Sequence, residues 1–224
     1  MQQVIKQFNV TEWAFQSARL IQDTINTILQ DQGHCSIMLT GGRSAEQLYM
    51  SWEKLSDFRN MSNVQFYFGD ERCVEPNHKD SNYGMAMKTL FQCGIPSACS
   101  VFRMEADKAD RESAALHYSE ILPDKIDVLL LGVGEDGHIA SLFPGSSALK
   151  YVGQRVVPII GPKLPYERLT ITPPVITKSK FVYVLAAGEA KGQVLIRAQQ
   201  MNNDFDVLPA CLILNATWLL DTVL

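Results

Sequence analysis

Two hydrophobic periods alternate along the chain. From Trp13 the positions Trp13, Leu20, Ile21, Thr24 and Ile28 keep a helical spacing to about Gln30, and Gly33 stops that helix. Asn9, three residues before Glu12, reads as its start signal. CSIMLT (35–40) is a short apolar strand, GGRS a turn, and AEQLYMSWEKL (45–55) a helix. VQFYFGD (64–70) alternates and is rich in aromatic and β-branched residues, as strands are. SNYGMAMKTLFQ reads as a helix capped by Ser81, and ADRESAALHYSEIL (109–122) as another, closed by Pro123. IDVLLLG (126–132) is apolar almost throughout, as expected of a strand covered on both faces. QRVVPII (154–160), RLTI (168–171) and FVYVLAAG (181–188) are further strands, EAKGQVLIRAQQ a helix, and TWLL a strand near the end.

Strands that alternate with helices specify a three-layer α/β fold, a mostly parallel, Rossmann-like open sheet with helices on both faces. No internal repeat, low-complexity tract or linker interrupts the pattern. GPKLPYER (161–168) reads as a surface loop, so residues 1–224 are expected to form a single domain. In such sheets ligands bind beyond the carboxyl ends of the strands. The informative residues are therefore those in LTGGRS, GDER, GEDGH and around Lys191.

Charge and cysteine usage narrow the partners. Lys plus Arg total 20 against 24 Asp plus Glu, a net charge of −4, which argues against general affinity for nucleic acid or anionic membrane. The 5 cysteines form no C-x-x-C pair, and an odd count suits reduced thiols better than a disulfide framework. The N-terminus has no basic start followed by an apolar stretch, and no apolar run approaches the ~20 residues that span a bilayer. A cytoplasmic protein is expected, monomeric or a weak homo-oligomer.

Gly132, Gly134 and Gly137 spell G-x-G-x-x-G after a strand, the form of a dinucleotide-binding loop. Glu135 and Asp136 inside that loop would repel a pyrophosphate, and the acid that should hold a ribose about 20 residues later is missing. What remains is a tight loop carrying Asp136 and His138. A histidine beside a carboxylate, at the ligand edge of a buried strand, has the arrangement of a general base. His34, His78 and His117 lack that setting and read as structural or surface residues.

Strand, Gly41-Gly42, then helix makes an anion site, because the first helical N–H groups point outward and the helix dipole favours negative charge; Ser44 is placed to cap it. Asp70, Glu71 and Arg72 follow another strand, and Arg168 opens a later one. Lys191 falls in the first turn of a helix, where a cation is disfavoured unless an anion lies nearby. A Gly-Gly helix terminus with Arg and Lys from other loops suggests one phosphate group held by charge-assisted hydrogen bonds.

LTGGRSAEQLY, FGDERCVEPNHKDSNYG, LGVGEDGHIASLFPG, RLTITPPVI and AGEAKGQVL, in this order, resemble the 6-phosphogluconolactonases. The resemblance implies hydrolysis of 6-phosphoglucono-δ-lactone, a sugar-phosphate lactone, in the oxidative pentose phosphate pathway, with no metal and no cofactor. It implies that His138 activates water with Asp136 beside it. It also implies that Gly41, Gly42, Ser44, Arg72, Arg168 and Lys191 contact the phosphate. Arg43 replaces the commoner small hydroxyl residue and would either add a phosphate contact or face solvent. Asp70 would orient Arg72 or bind a sugar hydroxyl. Backbone N–H groups of the Gly132–Gly137 loop are candidates for the oxyanion. Glucosamine-6-phosphate deaminases and isomerases look like a sister family, but they carry Glu where this chain has Phe143, and a Phe cannot exchange a proton. Their aldose–ketose chemistry and a non-catalytic sugar-phosphate sensor are the alternatives.

Overall fold

The computed structural model describes residues 4–201 and 203–221. Its strands are β1 (Val4–Gln7), β2 (Cys35–Leu39), β3 (Val64–Phe68), β4 (Asp70–Arg72), β5 (Ser100–Val101), β6 (Val128–Gly132), β7 (Val156–Ile160), β8 (Glu167–Ile171), β9 (Phe181–Ala186) and β10 (Thr217–Leu220). Its helices are α1 (Trp13–Gln32), α2 (Arg43–Trp52), α3 (Ser56–Arg59), α4 (Asn82–Thr89), α5 (Arg111–Ile121), α6 (Pro173–Lys178) and α7 (Glu189–Gln200). Seven strands form one sheet in the order β1-β10-β9-β6-β2-β3-β5, and every neighbouring pair is parallel.

The period-2 pattern of the strands sends alternate residues into two cores, one on each face. Ile37, Leu39, Val128, Leu130, Tyr183, Leu185 and Leu219 pack with Ile21 and Ile25 of α1, Leu48 of α2 and Ala86 of α4. Met38, Leu129, Leu131, Val184, Ala186, Trp218 and Leu220 pack with Ala114 and Tyr118 of α5, Val175 of α6, and Val194 and Leu195 of α7. Such burial contributes about 1.5–3 kcal/mol per large apolar side chain, so the alternation fixes the strand register. The sheet with helices on both faces is the expected three-layer fold.

Two expectations need correction. QRVVPII and RLTI are strands, but they do not join the main sheet. With β4 they form a separate antiparallel sheet in the order β4-β8-β7. No helix lies between β7 and β8, so they pair as a long hairpin instead of crossing over. Likewise VQFYFGD is two strands: β3 ends at Phe68, and after Gly69 the chain enters β4 of the small sheet.

Cap signals fared unevenly. Gly33 ends α1 in the left-handed region at φ 78°, and the Ser81 side chain accepts from the Gly84 N–H at the start of α4. Asn9 does not cap α1; its side chain accepts from the Thr11 N–H, and the residue before the helix is Glu12. Ser44 does not cap α2 either. The helix begins one residue earlier, at Arg43, with Gly42 before it, so Ser44 is already helical.

Candidate active site

β2 stands where the strand order reverses. The chain runs outward from it through β3 and β5, then crosses to β6, β9 and β10 on the other side. In open α/β sheets this reversal splits the loops at the carboxyl edge and opens a crevice between them. Here a cleft of about 180 Å³ lies at that place, lined by Thr40, Gly41 and Gly42 after β2, Gly132, Val133, Gly134, His138 and Ala140 after β6, and Asp70, Arg72, Asn82, Arg168 and Lys191.

The turn after β2 is pinned by Tyr49 of α2, whose buried hydroxyl accepts from the Thr40 N–H at 3.0 Å and donates to the Thr40 carbonyl at 2.8 Å. Gly42 has φ 90°, open to glycine, and a Cβ on Gly41 would fall 1.9 Å from the Asn82 Oδ1. The Gly-Gly pair therefore lets the chain turn into α2 while lying directly against Asn82.

After β6 the chain folds back on itself. The Gly134 N–H donates to the His138 carbonyl, the Gly137 N–H to the Gly134 carbonyl, and Val133 bridges Ile139. No α-helix follows Gly137 before β7, unlike a dinucleotide loop. A Cβ on Gly134 would lie 2.1 Å from His138 Nδ1 and 2.5 Å from Asp136 Oδ1, so only glycine fits beneath that pair. His138 Nδ1 and Asp136 Oδ1 are 2.5 Å apart, and the His138 backbone N–H donates to the same oxygen at 3.3 Å. With Nδ1 engaged, Nε2 is the ring nitrogen left for the cleft. The imidazole side chain is 23% exposed, so water reaches it. Burial pushes the Asp136 carboxyl up, but the His138 contacts and Lys163, whose Nζ is 3.6 Å from Oδ2, outweigh it and hold the carboxyl below the usual range. Of the loop's backbone N–H groups, candidates for an oxyanion, those of the three glycines already donate within the protein: Gly132 to Thr40 Oγ1 at 3.2 Å, and Gly134 and Gly137 as above.

The basic residues gather opposite. Arg72 of β4 and Arg168 of β8 are register partners. Arg168 donates from Nε to the Pro165 carbonyl, from Nη2 to the Lys163 carbonyl and from Nη1 to Ser141 Oγ. Its guanidinium lies 5.4 Å over the Phe143 ring. Burial, then the neighbouring Arg72 charge, lower its affinity for its proton. Arg72 donates from Nη1 to the Asp80 carbonyl at 2.6 Å, while its Nε is buried without a partner. Neither arginine has an ion pair among the described residues. Lys191 Nζ donates to Ser44 Oγ at 2.6 Å; burial, then Arg43, push its pKa below the ordinary lysine value. Burial destabilises the charges of Arg168 and Lys191, and with Arg72 beside them and donors left over the arrangement suits an anion.

Arg43 is exposed and does not line the cleft. Asp70 is buried, but its partners are Ser141 Oγ at 2.7 Å and Asn82 Nδ2 at 3.2 Å rather than the Arg72 side chain. The Ser141 hydroxyl donates to that carboxylate and is fully buried, which leaves it no role as a nucleophile. Glu71 accepts from the N–H groups of Arg72, Asn82 and Tyr83, tying β4 to the start of α4. Sequence reasoning missed Thr40, Asn82 and Lys163. Asn82 follows the cap signal of Ser81, which masked its contact with the cleft. His34, His78 and His117 are exposed, as expected.

A sequence profile described as glucosamine-6-phosphate isomerases/6-phosphogluconolactonase matches residues 9–221. The chain belongs to that family. Among curated members it is 36% identical over 179 residues to a 6-phosphogluconolactonase of Chlamydia pneumoniae, covering 76% of this chain and 67% of the relative. It is 32% identical over 199 residues to 6-phosphogluconolactonase 3 of Saccharomyces cerevisiae, covering 83% and 79%. Solved family structures superpose closely. A 6-phosphogluconolactonase from Shewanella baltica aligns with a TM-score of 0.86 at 25% identity, over 98% of this chain and 97% of that one. The Trypanosoma brucei enzyme aligns with a TM-score of 0.81 at 26% identity, over 98% and 96%.

Proposed function

We propose that this chain, as one domain, hydrolyses 6-phosphoglucono-δ-lactone to 6-phosphogluconate. The observation that carries the proposal is the convergence on one cleft of His138, bonded to Asp136, and of Arg72, Arg168 and Lys191. The phosphate docks among these cations and against the start of α2, which sets the lactone carbonyl before His138. Nε2 takes a proton from water as the water oxygen bonds to C1. The C1–ring-oxygen bond then breaks, and the imidazolium returns its proton to the departing oxygen. Asp136 holds the imidazole in the tautomer that leaves Nε2 free to accept, and balances its charge when protonated. δ-Lactones open readily, so general-base catalysis of about 10²–10⁴-fold and positioning are adequate. Among the described residues no helix is long and apolar enough to cross a membrane. The five free cysteines and the expected metabolic role support a reducing, cytoplasmic site of action.

The isomerase reading loses support on two counts. Position 143 holds a buried Phe, and both oxygens of Asp70 are engaged by Ser141 and Asn82, which leaves that carboxylate poorly placed to move a substrate proton. The test is acidification on mixing purified protein with the lactone, compared with His138→Ala. The wild type should release protons well above the uncatalysed rate, and the variant should lose about 10²–10⁴-fold in kcat. A variant that turns over like the wild type would remove His138 as the base.

A further inference from the structure

Phe143 is buried, at 5% exposure, yet among the described residues it is the one buried apolar side chain that belongs to neither core. Its ring neighbours include two residues of the site. The ring lies 4.6 Å from the His138 imidazole, centroid to centroid, and 5.4 Å from the Arg168 guanidinium carbon. The backbone is bent to bring it there. Ile139 and Leu142 exchange hydrogen bonds, and Ala140 between them has φ 49°. That conformation is costly for a residue with a Cβ, and such strain persists where the surroundings require it.

We infer that Phe143 is a positioning residue for both halves of the site, setting the His138 imidazole and the Arg168 guanidinium at a fixed separation. Three backbone and hydroxyl acceptors hold the edges of Arg168, and the Phe143 ring stands over its face. An aromatic face attracts a cation without consuming its N–H donors, so Arg168 stays oriented and its remaining donors stay available for an anion. A carboxylate at 143 would instead pair with Arg168 and sit beside the imidazole. An aliphatic side chain would fill the space without fixing either group.

The kinetic part of this inference rests on the lactonase reading; the binding part does not. Phe143→Leu, Phe143→Tyr and Phe143→Glu should be compared in kcat, KM, the pH profile of kcat/KM, and affinity for inorganic phosphate by calorimetry. Because Phe143 lies outside both cores, Phe143→Leu should melt close to the wild type; if it does not fold, Phe143→Met takes its place. We expect Leu to raise KM and weaken phosphate roughly tenfold, the size of a lost desolvated cation–π contact. It should also lower kcat, while Tyr stays near wild type in all of these. With Glu, the acidic limb of the profile should move to higher pH, because a nearby carboxylate favours the protonated imidazole. Wild-type constants for Leu, equal damage from Leu and Tyr, or an unmoved acidic limb with Glu would each overturn the inference. If the wild type hydrolyses no lactone, the function proposed above fails. Weaker phosphate binding by Leu than by Tyr would then still uphold the positioning role, and equal binding would end it.

Discussion

Arg72 and Arg168 stand directly opposite each other on adjacent antiparallel strands. Like charges in that relationship destabilise a sheet, and here burial adds to the repulsion, as the lowered proton affinity of Arg168 records. Under the proposed function, an anion bound between them neutralises both.

Inorganic phosphate should therefore stabilise the fold. At a hundredfold excess over Kd the gain is about 2.7 kcal/mol, which for a domain of this size raises Tm by roughly 5–10 °C. Arg72→Met should abolish most of that gain, because its buried Nε has no other partner. A full phosphate shift in Arg72→Met, followed by thermal melting, would place the anion elsewhere.

Asp136→Asn should lower kcat about a hundredfold or more with little change in KM, since an amide no longer selects the imidazole tautomer with a free Nε2. A stability signature accompanies it. The Asp136 carboxyl is held below its ordinary value in the folded protein, so its ionic contacts stabilise the fold above the unfolded carboxylate pKa of about 3.9 and are lost as pH falls through the lowered folded value. The Tm difference between wild type and Asp136→Asn should be largest near neutrality and shrink below pH ~4. A difference that grows toward acid would contradict this assignment.

Gly134→Ala tests how closely the dyad is built. The new methyl would meet His138 Nδ1 at 2.1 Å and Asp136 Oδ1 at 2.5 Å, so the pair must part. Displacements near 1 Å can cost about 10²-fold, and a loss of at least tenfold in kcat is expected, with KM within a few-fold. Retained kcat would show that the Asp136–His138 contact is dispensable.

Lys191 should make ligand affinity sensitive to alkali. Burial and Arg43 favour its neutral form, so it loses its charge at a lower pH than the ~10.4 of a free lysine. The affinity for 6-phosphogluconate, the proposed product and stable in alkali, should fall as pH rises toward that value. Lys191→Arg, which keeps its charge, should flatten the curve. Parallel curves for the two proteins in titration calorimetry would take Lys191 out of the anion site.

The chain's own pattern carried a large share of this. Strands that alternate with helices, and the nearly continuous apolar run of β6, pointed to a sheet covered on both faces; the structure sends alternate residues of β2, β6 and β9 into the two cores. Asp136 and His138 were visible because they follow β6, Arg72 because it comes soon after β3, and Lys191 because it follows β9, and a parallel sheet puts such ends on one edge; Arg168 instead opens β8 of the small antiparallel sheet.

Pairing and contact were decided in three dimensions. β7 and β8 read as strands like the others, but whether two strands cross over or fold into a hairpin depends on what covers them. The facing of Arg72 and Arg168 joins residues 96 positions apart, beyond any local pattern. Ser44 looked like a cap and became the partner of Lys191, because the helix began one residue sooner. Phe143 read as the absence of a carboxylate, and only folding set its ring beside both the His138 imidazole and the Arg168 guanidinium. Sequence fixes which groups are present and which way a strand or helix turns them, since those depend on neighbours in the chain. Distances between groups on different loops depend on how separate elements pack, and that is settled only when the two cores close.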